Sequence, residues 1–166
     1  MKEKRFKITF WLVPTVVAFI TPSLIIFLLE VLVGGISPVD ATKHILVRQF
    51  APGDNLFLIA LIGFVPFAIL IGILLPVSRT LTGRRVYCVL VGGILGILGV
   101  MISGHVSIWY PLYGGGHMSS TAVVGFLLIP FFCIPTMLAG LALGWGVSLF
   151  PWFRKGNEQN IVNASR

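Results

Sequence analysis

Residues 55–76 read NLFLIALIGFVPFAILIGILLP, a run of 22 positions that contains no charged side chain. An α-helix rises about 1.5 Å per residue, so a run of this length can cross a hydrocarbon core about 30 Å thick. Three further apolar runs occupy residues 8–36, 87–109 and 119–150, and within the first of them Glu30 is the only charged side chain. The sequence therefore predicts four transmembrane helices.

The composition of the whole chain agrees with a membrane protein. Of its 166 residues, 57% are hydrophobic and only 10% are charged, whereas a soluble domain carries about 25% charged residues. This excludes the soluble, collagenous, disulfide-framework and disordered classes. We expect an all-α integral membrane protein with one four-helix transmembrane domain over residues 1–155. Residues 156–166 are expected to form a short polar cytoplasmic tail.

The distribution of basic residues predicts the orientation in the membrane. Ten of the 12 Lys and Arg residues flank the N-terminus, the connection between the second and third runs, and the end of the fourth run. They are Lys2, Lys4, Arg5, Lys7, Arg79, Arg84, Arg85, Arg154, Lys155 and Arg166. The opposite face has only Lys43 and Arg48. Because basic flanks are retained on the cytoplasmic side, both termini are expected to be cytoplasmic.

This asymmetry also accounts for the net charge of +7. Basic residues beside membrane spans are attracted to anionic lipid headgroups, so the charge indicates the lipid bilayer as a partner and does not require nucleic acid. Small size and a strong basic bias favour a bacterial cytoplasmic (inner) membrane, and the membrane of a eukaryotic organelle is the alternative. Between the spans we expect a polar loop at residues 37–54 and a shorter glycine-containing loop at residues 110–118.

Small residues recur at helical spacing on two of the spans. Gly92, Gly96, Gly99 and Ser103 form a stripe on the third span, and Gly140 and Gly144 form a shorter one on the fourth. Membrane helices approach most closely where their side chains are small. We expect these residues to mediate helix packing and the third span to be the central helix.

Prolines inside the spans predict kinks, because proline removes one helical hydrogen bond and crowds the preceding turn. They are Pro14, Pro22, Pro66, Pro130 and Pro135. Pro130 and Pro135 lie close together, so we expect a bend or break in the middle of the fourth span.

Side chains with acid-base or metal-binding chemistry fall toward the predicted outer face. The candidate outer-face cluster comprises Glu30, Asp40, His44, Asp54, His105 and His117. His and carboxylate side chains bind zinc, nickel or copper, and they also serve in proton relays. No HExxH, HxxxH or ExxH pattern places two ligands on one helix face. We therefore assign no catalytic residue and predict no cofactor, and a metal ion remains an alternative.

These features favour a small polytopic membrane protein without enzymatic activity, an accessory or structural subunit of a membrane complex. It would act as a homo-oligomer or within a larger membrane assembly. An oligomeric transporter or channel for a small solute or proton, with Glu30 and His105 at its outer gate, is the first alternative. A membrane-embedded enzyme is the second, and only the residue types support it.

Overall fold

The computed structural model describes residues 2–52, 55–78, 83–117 and 122–150. Within these ranges the regular elements are all helices: α1 (Lys2–Leu32), α2 (Pro38–Arg48), α3 (Leu56–Val77), α4 (Gly83–Tyr113) and α5 (Ala122–Ser148). All of them except α2 are long and apolar enough to cross a membrane. The all-helical class and the four apolar helices are confirmed.

Helix α1 ends sooner than its apolar run. The run continues to residue 36, but the helix ends at Leu32. The backbone N–H of Gly34 donates to Leu29 O, and that of Ile36 donates to Glu30 O. Gly35 follows with φ of 64°, a conformation in which a Cβ atom would be strained. Gly34 and Gly35 therefore terminate α1, which ends at Leu32, two residues after Glu30.

The segment predicted as a polar loop, residues 37–54, is not a loop throughout, because α2 lies within it. Ser37 is the N-cap, and its hydroxyl accepts a hydrogen bond from the backbone N–H of Asp40. Pro38 occupies the first turn, where its missing N–H costs no helical bond. Ser, Pro and Asp at these positions are a helix-start signal.

Contacts with α1 hold α2 against the bundle. Ala41 is fully buried, and Ile45 packs against the apolar cluster that contains Ile25 and Ile26 of α1. The side chain of Gln49, directly after α2, donates from Nε2 to Ser23 Oγ at 3.1 Å. The end of the molecule where α2 lies is called the α2 end below, and the opposite end, where α4 begins, the basic end.

Helix α4, Gly83–Tyr113, extends about one turn beyond the predicted run of residues 87–109 at each end. The loop was expected from Tyr110, but the helix continues through Pro111 to Tyr113. Trp109 is only 1% exposed. Both Trp109 and Tyr113 belong to the apolar cluster at the α2 end, so burial of the two rings favours the additional turn.

Helices α3 and α4 form the middle of the bundle, because each packs against the other and against both α1 and α5. The predicted central position of the third span is thus shared with the second. The main core lies between these helices and includes Phe67, Leu70, Ile97, Met101 and Met137, all at most 1% exposed. A second cluster, with Ile26, Leu56 and Trp109, closes the α2 end.

Helices α4 and α5 meet backbone to backbone through glycines. A Cβ added to Gly92 would collide with the carbonyl oxygen of Gly140, and one added to Gly140 would collide with that of Gly92. Gly96 lies in the same way against Thr136 O, and Gly144 against Cys88 O. The contact requires glycine at these positions, since no other residue permits so close an approach.

The rest of the predicted stripe on α4 lies elsewhere. Ser103 is exposed, and a Cβ added to Gly99 would meet nothing within 4 Å. Gly104 takes the place of these residues, because its added Cβ would meet the side chain of Ile129 on α5. The face of α4 that meets α5 therefore changes along the helix.

The prolines expected to cause kinks all lie inside continuous helices. Pro14 and Pro22 are within α1, Pro66 within α3, and Pro130 and Pro135 within α5. Neighbouring threonine hydroxyls donate to carbonyl oxygens one turn earlier in the same helix, as Thr15 does to Trp11 O and Thr136 does to Phe132 O. Such bonds are a known way of accommodating local bends in apolar helices.

Candidate functional site

Glu30 lies in the last turn of α1, and its side chain is fully buried. Its charge is balanced by Arg48, the final residue of α2, whose Nη1 is 3.2 Å from Glu30 Oε1. A buried carboxylate needs such a partner, because removing an isolated charge from water is very costly. The structure thus places Glu30 inside the bundle.

Tyr113 joins the same ion pair from the end of α4. Its hydroxyl accepts a hydrogen bond from Arg48 Nη1 at 2.6 Å and donates one to Glu30 Oε1 at 3.2 Å. The three side chains come from α1, α2 and α4, so a single polar contact joins three helices at the α2 end. The name Glu30 triad is used for Glu30, Arg48 and Tyr113 below.

The second carboxylate oxygen of Glu30 points toward His44. His44 Nδ1 is 3.6 Å from Glu30 Oε2, and the His44 side chain is 50% exposed. This distance exceeds that of a good hydrogen bond, and Oε2 has no hydrogen-bond partner among the described residues. His44 precedes Arg48 by one helical turn, so both side chains lie on the same face of α2.

Asp40 belongs to the solvent-exposed part of α2. It accepts a hydrogen bond from the Ser37 hydroxyl at 2.8 Å and forms an ion pair with Lys43 at 3.4 Å. These two contacts, that with Ser37 first, hold the pKa of the Asp40 carboxyl below its ordinary value. Asp40 therefore stabilises the start of α2 in its ionised form.

His105 lies deeper, two turns before Tyr113 on α4, and is 2% exposed. Its Nδ1 is 2.7 Å from Met101 O. Because a carbonyl oxygen can only accept, Nδ1 carries the hydrogen. Nε2 has no hydrogen-bond partner within the described ranges, and the ring packs against Phe126 with centroids 5.7 Å apart.

Trp109 lies between His105 and Tyr113 on the same face of α4. Its ring also packs against Phe126, with a centroid distance of 5.5 Å, and its Nε1 has no hydrogen-bond partner in the described part of the chain. A buried polar group without a partner costs about 1–3 kcal/mol. Native proteins usually satisfy such groups, often with an internal water molecule.

The six residues of the candidate outer-face cluster thus have different positions. Glu30 and His44 come together, while Asp40 lies on the exposed side of α2 and His105 lies deeper in the bundle. His117 is exposed after α4, and Asp54 lies outside the described residues. Sequence reasoning treated Arg48 only as a topological charge and did not place Tyr113 among the candidate residues. The i, i+4 spacing of His44 and Arg48 becomes informative once α2 is identified as a helix.

Within the described ranges, no group of three or more His, Cys, Asp or Glu side chains is close enough to hold an ion. Glu30 Oε2 and His44 Nδ1 together offer one oxygen ligand and one nitrogen ligand. A catalytic zinc site has three protein ligands, one more than this pair.

A second candidate feature is an apolar groove between α4 and α5, near the basic end. Its volume is about 670 Å³. The floor consists of glycines of the α4–α5 contact, including Gly92 and Gly140, and apolar side chains form the walls. The wall residues Leu95 and Leu143 are 62% and 72% exposed. Cys88, a free and partly exposed thiol, also lines the groove.

Comparison with known proteins gives no relative: no protein-family model, no curated protein and no solved structure matches this chain.

Proposed function

We propose that this chain is a structural or accessory subunit of an assembly in a bacterial cytoplasmic membrane, with both termini in the cytoplasm and no catalytic activity of its own. In this orientation the α2 end faces outward. The single observation that carries the proposal is the Glu30 triad, because it uses buried polar groups to join α1, α2 and α4 within one chain. Such a contact stabilises a fixed arrangement of helices.

The α4–α5 groove is the surface on which we place the contact with another subunit. Helix α5 is the least covered of the four spans, with 28% of its apolar window buried against 39% for each of the others. An apolar transmembrane helix of the partner is the occupant we propose, because the glycine floor allows close backbone approach and the walls are apolar.

Cys88 allows this proposal to be tested with the natural sequence. We expect a membrane-permeant maleimide–benzophenone reagent, attached to the Cys88 thiol and then photoactivated, to link it to a neighbouring subunit in intact membranes. Native mass spectrometry in mild detergent should give an assembly heavier than the 18.1 kDa chain, containing the same partner at fixed stoichiometry. A second copy would indicate a homo-oligomer, and a different chain would indicate an accessory subunit.

The matched control is the other cysteine. Cys133 is fully buried, and its thiol donates a hydrogen bond to Ile97 O at 3.7 Å. We therefore expect Cys88→Ser to abolish the adduct even though Cys133 is still present. A protein that is only monomeric at 18.1 kDa and gives no adduct at Cys88 would contradict the proposal. Lipid alone in the groove would give that result.

A proton or small-solute transporter is a second candidate, favoured by Glu30 Oε2 and its half-exposed neighbour His44. If Glu30 carries protons, purified protein in proteoliposomes should show proton flux above empty liposomes, and Glu30→Gln should abolish it. Asp40→Asn, on the exposed part of α2, should leave the flux unchanged. Absence of flux from the wild-type protein, or its persistence in Glu30→Gln, would exclude this candidate.

A further inference from the structure

Three buried polar atoms near the α2 end have no hydrogen-bond partner among the described residues. They are Glu30 Oε2, Trp109 Nε1 and His105 Nε2. Their side chains are 0%, 1% and 2% exposed. The acyl chains of lipids cannot form a hydrogen bond with any of these atoms. Each atom therefore requires a polar ligand from inside the bundle.

Two of the three atoms, Trp109 Nε1 and His105 Nε2, lie on one side of α4, whereas Glu30 is on α1. Tyr113, Trp109 and His105 are spaced four residues apart, which places them one above another on a single helix face. Tyr113 holds Glu30 by a direct hydrogen bond. Eight residues separate Tyr113 from His105, so the series extends about 12 Å into the bundle.

The hydrogen-bonding chemistry of the series identifies its ligand. Trp109 Nε1 can only donate, whereas the Nε2 of neutral His105 accepts, because Nδ1 donates to Met101 O. A ligand that bridges these two rings must therefore accept from one and donate to the other. A water molecule does both, and its remaining hydrogen can be donated toward a carboxylate oxygen such as Glu30 Oε2.

The Glu30 end of the series lies beside side chains that are partly exposed to solvent. His44 is half exposed and is the nearest side chain to Glu30 Oε2, and the Arg48 side chain is 25% exposed. Glu30 itself is fully buried, so any route from it to solvent begins at these two partly exposed side chains. At the His105 end, Phe126 packs against both His105 and Trp109. Its apolar ring borders the series there.

We propose that ordered water molecules enter at the α2 end and form a hydrogen-bonded file from Glu30 past Trp109 to His105. The file is a hydrated half-channel that ends within the bundle and connects a buried imidazole to one side of the membrane. It rests on neither proposed function, because both a rigid subunit and a proton carrier can contain it.

Water-edited solid-state NMR of the wild-type protein in lipid bilayers, with 15N-labelled tryptophan and histidine, tests the file directly. We expect magnetisation from water protons to build up on the side-chain nitrogens of Trp109 and His105, although both are buried. Trp109→Phe assigns the indole signal. His44 and His117, which are exposed, provide the positive reference for the histidine signals.

Variants test whether the water is bridging. His105→Phe should reduce the transfer from water to the Trp109 indole severalfold, because the bridging molecule loses its acceptor. His117→Gln, which changes an exposed residue beyond α4, should leave it unchanged. Wild-type spectra in which His44 and His117 receive magnetisation but either Trp109 or His105 does not would overturn the proposal.

Discussion

Replacing Arg48 with methionine should lower the free energy of unfolding by about 3–5 kcal/mol, the usual cost of leaving one member of a buried ion pair without its partner. Glu30 is fully buried and is bonded on the same oxygen by Arg48 and Tyr113. Arg48→Met keeps much of the side-chain volume but removes the positive charge and the donor to the Tyr113 hydroxyl. Reversible unfolding in mixed micelles, followed by circular dichroism, measures the change.

Two controls separate loss of the partner from loss of a residue. The double variant Glu30→Met/Arg48→Met should be more stable than Arg48→Met alone, since an apolar pair leaves no buried charge. Lys43→Met removes the exposed ion pair with Asp40 and should have little effect, because solvent already screens that pair. If Arg48→Met were as stable as Lys43→Met, the Glu30 triad would have no structural role.

Adding one methyl group to Gly140 should destabilise the protein by about 1–3 kcal/mol, the range measured when a well-packed contact is overfilled. The added Cβ would collide with the carbonyl oxygen of Gly92, and a backbone atom cannot rotate away as a flexible side chain can. The two helices must therefore separate along their whole glycine contact. Gly140→Ala is compared with the wild-type protein by the same unfolding measurement.

Gly99→Ala is the matched control on α4, because its Cβ would meet nothing within 4 Å. Alanine is the better helix former, so this variant should be as stable as wild type or gain about 0.5–1 kcal/mol. Gly92→Ala combined with Gly140→Ala should cost less than the sum of the single changes, since helices already separated accommodate the second methyl group. Equal stability of the Gly99 and Gly140 variants would contradict the close α4–α5 contact.

Apolar run length was sufficient to predict the four long helices, because lipid-spanning segments require a minimum length with few charges. It was insufficient at their ends. Helix α1 ends where Gly35 adopts its positive φ, although valine and isoleucine nearby are as apolar as the residues before them. Helix α2 was missed because the polar character of residues 37–54 was weighed more heavily than the start signal at Ser37, Pro38 and Asp40.

The candidate site was predicted as a set of residue types, and its geometry was not. Glu30 was singled out because a charged residue within a span is unusual. Its partners depend on how α2 folds back and on an additional turn of α4, neither of which follows from apolar periodicity. Similarly, spacing placed Gly92 and Gly99 on one stripe, but only the crossing of α4 and α5 determines that Gly92 is in contact and Gly99 is not.

The Glu30 triad also has an order in time, because a membrane chain is made and inserted from its N-terminus. Arg48 follows Glu30 by only 18 residues, whereas Tyr113 follows it by 83 residues. The counter-charge is therefore synthesised before α3 and α4 exist. A nascent chain consisting of α1 and α2 already carries Arg48, the cation that neutralises Glu30. The carboxylate of the first span can therefore be paired before the other helices are inserted.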